Sequence, residues 1–325
     1  MKDVKSLNIQ KNISFLKYTT FKIGGPAKFF CVVENVDEIK EALEFAEKNK
    51  LDIFIFGGGS NILVSDKGFD GLVIKINNQK LEIKNNEINV EGGFPFSKLV
   101  SESVKNNLTG LEWAAGIPGT VGGAICNNAG AHGKSIQDII EKVEIIEIVP
   151  LDKGGWGVRK LTNQECSFSY RNSIFKSEKK YIILSAILKC GIYPLGFQED
   201  ESRKIISGYL ETRKQKQSLE YPSAGSVFKN PEIEGEILDK ILIKYPELKE
   251  IIKDNIVPVG WFVEELGLKG KKIGGAMISE KHGNFIVNTG SAKAEDVVIL
   301  ISLIKQKVRN RFGVQLQEEI EYVGF

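Results

Sequence analysis

Five stretches of this 325-residue chain hold residue types that can do chemistry. The first is Gly57-Gly-Gly-Ser-Asn61, directly after an apolar run at 52–56. Glycine lets the backbone adopt positive φ and approach a ligand closely. Successive N–H groups there can form an anion nest for a diphosphate, with Ser60 and Asn61 adding donors. A plain glycine-rich hairpin accounts for the same residues equally well. The second is Gly116-Ile-Pro-Gly-Thr-Val-Gly-Gly-Ala124, followed by Asn127-Asn-Ala-Gly-Ala-His-Gly133. Each glycine costs about 1 kcal/mol in a helix interior, so this stretch is expected to avoid regular helix. So much backbone needs polar partners, and paired with the first turn it suits a dinucleotide better than a bare surface loop.

The third stretch, Glu165-Cys-Ser-Phe-Ser-Tyr-Arg-Asn-Ser173, sets Arg171 beside Tyr170. Such an arginine can clamp a carboxylate bidentately, or form an ordinary surface ion pair. The fourth is Pro222-Ser-Ala-Gly-Ser-Val-Phe-Lys-Asn-Pro231, where Gly225 frees the backbone before Ser226, and Lys229 and Asn230 follow. No Gly-x-Ser-x-Gly elbow surrounds Ser226, and His132 and His282 are the only histidines, so a serine-hydrolase triad is poorly supported. From spacing alone, Ser226 as proton donor is a minority reading. The fifth, Gln317-Glu-Glu-Ile-Glu-Tyr322, is a cluster of acids of the kind that usually makes a solvated face. Lys269 meets a phosphate or water on these grounds, and His282 reads more as a satisfied strand histidine than as a ligand contact.

Several classes of function are excluded. The third glycine of a Gly-x-Gly-x-x-Gly fingerprint starting at Gly57 is Ile62. Asn128 stands where a nucleoside-triphosphate loop ending at Ser135 requires glycine. Cys31, Cys126, Cys166 and Cys190 form no CxxC pair, so neither a zinc site nor a redox dithiol is expected, and no metal is assigned. Forty-four basic against 42 acidic residues leave a net charge of +2, too balanced for a dedicated nucleic-acid binder. The start, Met1-Lys-Asp-Val-Lys-Ser, is charged where a secretory signal needs an apolar run, and the longest apolar run, 297–304, is too short to span a bilayer. A cytoplasmic protein without nucleic-acid or membrane partner is expected, as monomer or weak oligomer.

The elements that must position these stretches follow from periodicity. Helices are expected at 36–50, 97–107, 200–217, 235–245, 261–267 and, most clearly, 294–312, with Val297, Val298, Leu300, Ile301, Ile304 and Val308 on one face. Strands are expected at 52–56, 72–76, 81–91, 143–149 and 181–189, and within 272–288. The character changes near 192–200, and the order of elements indicates α+β rather than a repeated βαβ wheel.

Taken together, the motifs resemble those of the UDP-N-acetylenolpyruvoylglucosamine reductases, flavoenzymes of peptidoglycan precursor synthesis. The resemblance runs from Tyr18-Thr-Thr-Phe-Lys-Ile-Gly-Gly-Pro-Ala27 to Glu319-Ile-Glu-Tyr-Val-Gly324, with Lys281-His-Gly-Asn-Phe-Ile-Val-Asn288 among the matching stretches. It implies a two-part FAD-binding domain of the vanillyl-alcohol-oxidase (PCMH) type, over 1–79 and 80–196, and a separate α+β substrate-binding domain over 197–325, whose last residues return a catalytic Glu to the flavin site. It implies FAD and NADPH as cofactors and UDP-N-acetylglucosamine enolpyruvate as substrate. Arg171, Ser226 and Glu319 carry over as catalytic, Glu319 being preferred to Glu318 by its distance from Gly324. Cofactor contacts are expected from Gly57, Gly58, Gly59, Ser60, Asn61, Gly116, Ile117, Pro118, Gly119, Thr120, Gly122, Gly123, Ala129, Gly130 and Gly133. Substrate or nicotinamide contacts are expected from Tyr170, Lys229, Asn230, Lys269 and His282. The short link between Gly191 and Arg203 resembles the subtype that lacks a substrate-capping tyrosine loop, whereas 150–160 departs from the usual short hairpin. Another FAD oxidoreductase of the same fold, using oxygen, and a flavin-binding module without catalysis are the competing readings.

Overall fold

A computed structural model describes residues 7–149, 155–194 and 199–325. The chain forms two compact units that interleave along the sequence. One holds Ala27–Gly58 and Asp70–Arg213 with the segment up to Ile13, and the other holds Ser14–Pro26, Gly59–Phe69 and Lys214–Phe325.

In the first unit, the strand Pro26–Val33 leads into the helix Val36–Lys48, which leads into the strand Ile53–Phe56. Asn35 starts the helix by accepting the Glu38 N–H at 2.9 Å. Ile39, Ala42, Leu43 and Ala46 share one face and pack with Leu72 and Ile74. Ile53–Phe56 runs parallel to Phe69–Ile76 and ends at Gly57, so the first glycine turn leaves the carboxyl end of a parallel strand. A second sheet is antiparallel, in the order Val158–Thr162, Ile140–Glu147, Tyr181–Lys189, Glu87–Glu91, Leu81–Lys84. The connection at 150–154 lies outside the described residues, as does 195–198 in the Gly191–Arg203 link. Trp156, just beyond the first of these, packs against the cluster that includes Ile146 and Ile182.

One expectation is corrected. The glycine-dense stretch contains a helix, Val121–Cys126, with Gly122 and Gly123 inside it. Gly122 serves packing rather than flexibility: its N–H donates to Gly92 O at 2.7 Å, and a Cβ there would stand 3.0 Å from that oxygen.

The second unit is built on an antiparallel sheet in the order Ser223–Ser226, Phe285–Asn288, Ala276–Ile278, Lys272–Ile273. The helix Ala294–Phe312 buries Val297, Leu300, Ile301, Ile304 and Val308 in the same core as Phe228 and Phe262, with Val298 at its edge. Gly313, at φ 73°, ends it. Ile62–Val64, the run after the first glycine motif, is a strand paired in parallel with Glu321–Val323 near the end of the chain. Asp66 follows, and its carboxylate accepts the Ala294 N–H at 3.1 Å, at the start of the long helix. Among the described residues no helix is long and apolar enough to cross a membrane.

Because Asp66 satisfies an otherwise orphaned N–H across a large sequence separation, Asp66→Ala should lower stability by about 1 kcal/mol in urea titrations. An unchanged midpoint would show that water serves that N–H as well.

Candidate active site

The two glycine stretches meet within the first unit. A Cβ on Gly58 would lie 2.5 Å from the Gly119 Cα, and one on Gly57 would collide with the Thr120 hydroxyl. Only glycine lets these backbones approach so closely. Among the described residues, the N–H groups of Gly58, Gly119 and Thr120 donate to no other residue. Unused donors on a side-chain-free surface fit a diphosphate. Gly116, at φ 74°, packs under Leu210 and Arg213, while Ile117 is half-buried and Pro118 exposed. Further along, Gly123 donates its N–H to the Thr120 hydroxyl, and Ala129 to Ala124 O. Gly130 sits so close to Lys134 O that a Cβ would stand 2.6 Å away. Gly133 ends a two-residue turn with His132, at φ 76° and 56°, and that conformation by itself accounts for the glycine.

Arg171 lies on a separate turn bonded to this glycine-rich segment. Ser169 and Asn172 exchange both main-chain hydrogen bonds at 3.1 Å, making Tyr170-Arg171 the tip of a tight turn. Asn128 donates to Ser169 O at 2.9 Å, and the buried Ser173 hydroxyl to Cys126 O at 2.6 Å. Arg171 Nη2 donates to Gly130 O at 2.6 Å, and its guanidinium stands 5.3 Å from the Tyr170 ring centre. Its φ of 52° is strained for a residue with a side chain, and the bonds on either side hold it there.

The second unit brings Ser226 and the C-terminal acids together. Gly225, at φ 75°, breaks the ladder between Ser223 and Ser226, and Ser226 re-enters opposite Phe285. Lys229 donates its N–H to Gln317 O at 2.9 Å and Glu319 donates its own to Val227 O at 2.8 Å. Residues 317–319 thus lie beside the segment that follows the serine. Glu318 Oε1 accepts from Lys305 Nζ at 2.8 Å, so its carboxylate belongs to the long helix. Gly59, at φ 61°, accepts the Thr20 N–H at 3.0 Å and is followed by the half-buried Ser60. Asn61 turns its side chain to the C-terminal strip: Nδ2 donates to Glu319 O at 3.1 Å, and its own carbonyl accepts the Glu321 N–H at 2.9 Å.

Comparison with known proteins decides the family. Residues 217–323 match the model described as UDP-N-acetylenolpyruvoylglucosamine reductase, C-terminal domain, and residues 27–148 match the model of an FAD binding domain. The UDP-N-acetylenolpyruvoylglucosamine reductase of Caldanaerobacter subterraneus subsp. tengcongensis is 39% identical over 324 residues, 99% of this chain and 95% of that one. The enzyme of that name from Bacillus pumilus is 36% identical, over 97% and 94%. The chain belongs to the UDP-N-acetylenolpyruvoylglucosamine reductase family. A crystal structure of the reductase from Thermus caldophilus aligns with a TM-score of 0.75 at 30% identity, covering 98% of this chain and 99% of that one. The fold is therefore α+β, an FAD-binding domain of the PCMH type joined to the reductase family's C-terminal domain.

The remaining residues expected from the reductase family have varied surroundings. Asn230 accepts the Val259 N–H at 3.0 Å and so starts the helix Val259–Glu265. Lys269 pairs with Glu264 at 2.7 Å. Lys229 is half-buried and forms no ion pair among the described residues. His282 accepts the Asn284 N–H on Nδ1 at 3.2 Å, which leaves the ring proton on Nε2. Burial, reinforced by the charges of Lys269 and Lys216, holds its pKa below the usual 6.5. Sequence reasoning passed over Asn284 and Asn288. Both are buried and bracket the apolar Phe285-Ile-Val run, and a polar residue at each end of such a run was the available signal.

Gly58→Ala sets a methyl against rigid backbone, so the purified variant should retain far less flavin than wild type, read from visible absorbance per protein. Equal retention would remove the close approach from the cofactor argument. For His282 the folded pKa is depressed, so its contribution to stability is present above about pH 6.5 and is lost as pH falls through the folded value. The urea midpoint should therefore fall between about pH 7.5 and about pH 5.5 by more in wild type than in His282→Gln.

Proposed function

We propose that this chain uses NADPH to reduce UDP-N-acetylglucosamine enolpyruvate to UDP-N-acetylmuramate, with FAD as resident cofactor, in peptidoglycan precursor synthesis. Family membership carries the reaction. The observation that most supports the residue assignment is the strip 317–319 hydrogen-bonded beside Ser226, which joins two motifs from distant parts of the sequence. Gly57, Gly58, Gly116 and Gly119, with the Thr120 N–H, would hold the cofactor through its diphosphate. Two-electron transfer from NADPH to the enolpyruvyl double bond is the chemistry that bound FAD supplies.

The protein's own part is charge and proton. Reduction at one alkene carbon pushes negative charge onto the neighbouring carbon and its carboxylate. Arg171, held by Gly130 O and Tyr170, is assigned to stabilise that charge. Ser226 Oγ delivers a proton to the carbon, its O–H bond breaking as the C–H bond forms. A serine hydroxyl is a very weak acid, so it acts only on a strongly basic carbanion. Glu319 is assigned to bind or polarise the substrate carboxyl group; Glu318 is held by Lys305. Tyr170, Lys229, Asn230, Lys269 and His282 are assigned to substrate or nicotinamide contacts, and Asn230 Oδ1 also accepts the Val259 N–H at the start of the helix Val259–Glu265. The reading places the protein in the cytoplasm with its UDP-sugar and NADPH, as a monomer or weak oligomer without nucleic-acid or membrane partner.

The test is the visible spectrum before and after anaerobic NADPH. A flavin band that NADPH bleaches and UDP-N-acetylglucosamine enolpyruvate restores is expected, whereas a band that NADPH leaves intact would indicate a non-catalytic flavin module. Ser226→Ala should keep the bleaching and slow the restoration by roughly 10²- to 10⁴-fold. Restoration by oxygen alone, with the enolpyruvyl substrate inert, would point to an oxidase instead.

A further inference from the structure

The Lys281–Asn288 stretch contains two buried polar side chains to which no step of the reaction has assigned a task, Asn284 and Asn288, and Asn284 is the one bonded to the segment after Ser226. Asn284 is 4% exposed, and both polar atoms of its amide bond the main chain of one distant residue. Phe228 donates its N–H to Asn284 Oδ1 at 3.0 Å, and Asn284 Nδ2 donates to Phe228 O at 2.8 Å. The main-chain carbonyl of Asn284 accepts the Val227 N–H at 2.8 Å. The remaining polar group of these two residues, Val227 O, accepts the Glu319 N–H at 2.8 Å. All four backbone hydrogen-bonding groups of Val227 and Phe228, directly after Ser226, are therefore held by Asn284 and Glu319. On the other side, Ser223 and Ser226 pair with Val287 and Phe285 of the neighbouring strand, with a break in register between them. Gly225 stands at φ 75°, and nothing lies within 4 Å of where its Cβ would be.

We propose that Asn284 is the positioning residue for Ser226, its bidentate amide fixing the main chain from which the serine hydroxyl is aimed. The proposal rests on the assignment of Ser226 as proton donor. An asparagine suits the task because its amide presents one donor and one acceptor, the same pair that a neighbouring strand would offer. Both of its polar atoms have a partner in doing so, as buried polar groups generally do. Its own N–H is tied to His282 Nδ1, so the turn that presents His282 and the segment that presents Ser226 share one anchor. The proton itself moves from Ser226 Oγ to the substrate carbon, and Asn284 exchanges none.

Asn284→Asp keeps the shape and the acceptor but loses the donor to Phe228 O, and Asn284→Ala loses both. In stopped-flow on the FAD-loaded protein, both variants should bleach with NADPH within about twofold of wild type. Restoration of the flavin by UDP-N-acetylglucosamine enolpyruvate should slow by on the order of tenfold to a hundredfold, as expected for a small displacement of a reacting group. The discriminating measurement is the pair with Ser226→Ala. If Asn284 acts through Ser226, adding Asn284→Asp to Ser226→Ala should slow restoration no further. The proposal is overturned if restoration is unchanged, if bleaching slows as much as restoration, or if the two substitutions multiply. Should Asn284→Ala fail to fold, Asn284→Asp decides alone. A wild-type protein that bleaches but is not restored by the substrate would overturn the reductase reading itself, and the proposal with it.

Discussion

The C-terminal unit depends on one short strip of main chain. Residues 317–321 are hydrogen-bonded to Val227 and Lys229 on one side and to Asn61 on the other. Both peptide groups of Glu319 are used in this way, its N–H by Val227 and its C=O by Asn61. The strip continues directly into Glu321–Val323, which pairs with Ile62–Val64. The main chain of Glu319 is thus fixed by partners from two other parts of the sequence.

A different constraint governs the first unit: backbones that approach without side chains between them. Gly58 against Gly119 is a contact in which a single methyl group would force a main-chain shift, Gly57 lies against the Thr120 side chain, and a methyl group on Gly122 would press on Gly92 O. The first of these contacts also leaves the N–H groups of Gly58, Gly119 and Thr120 unused, whereas Gly122 donates its own to Gly92 O. A glycine loop is a flexible choice in the unfolded chain, but here each turn is held by the other, so the donors are already arranged before a ligand arrives. Arg171 is strained for a related reason. Its turn is clamped to 126–130 by Asn128 and Ser173, and the guanidinium follows where that clamp sends it.

Local structure was legible because its causes are local. The expected helix at 36–50 is Val36–Lys48, and that at 294–312 has those limits in the structure. Both carry an apolar stripe on one face, with Asn35 and Gly313 marking a start and an end. The strands at 52–56 and 181–189 were legible as short apolar runs. The helix Val121–Cys126 was not, since glycine's cost in a helix is outweighed by the close approach to Gly92, which no local window contains. Ile62–Val64 was equally hidden, because a three-residue strand is defined by its partner and the partner lies near the end of the chain.

The sequence by itself determined which residue types can do the chemistry: a hydroxyl on a glycine-freed backbone, an arginine beside a tyrosine, terminal acids and two glycine turns. Motif order along the chain was enough to name the family. Tertiary structure alone decided how those residues are used. It gave Glu318 to Lys305, turned the Asn61 amide toward Glu319, and set Asn230 Oδ1 at a helix start. It also closed Asn284 around the segment after Ser226. The physical reason is the same in each case. A side chain's type and spacing limit the bonds it can make, but which bond forms depends on which unsatisfied donor or acceptor the fold brings within about 3 Å, and that partner is rarely near in sequence.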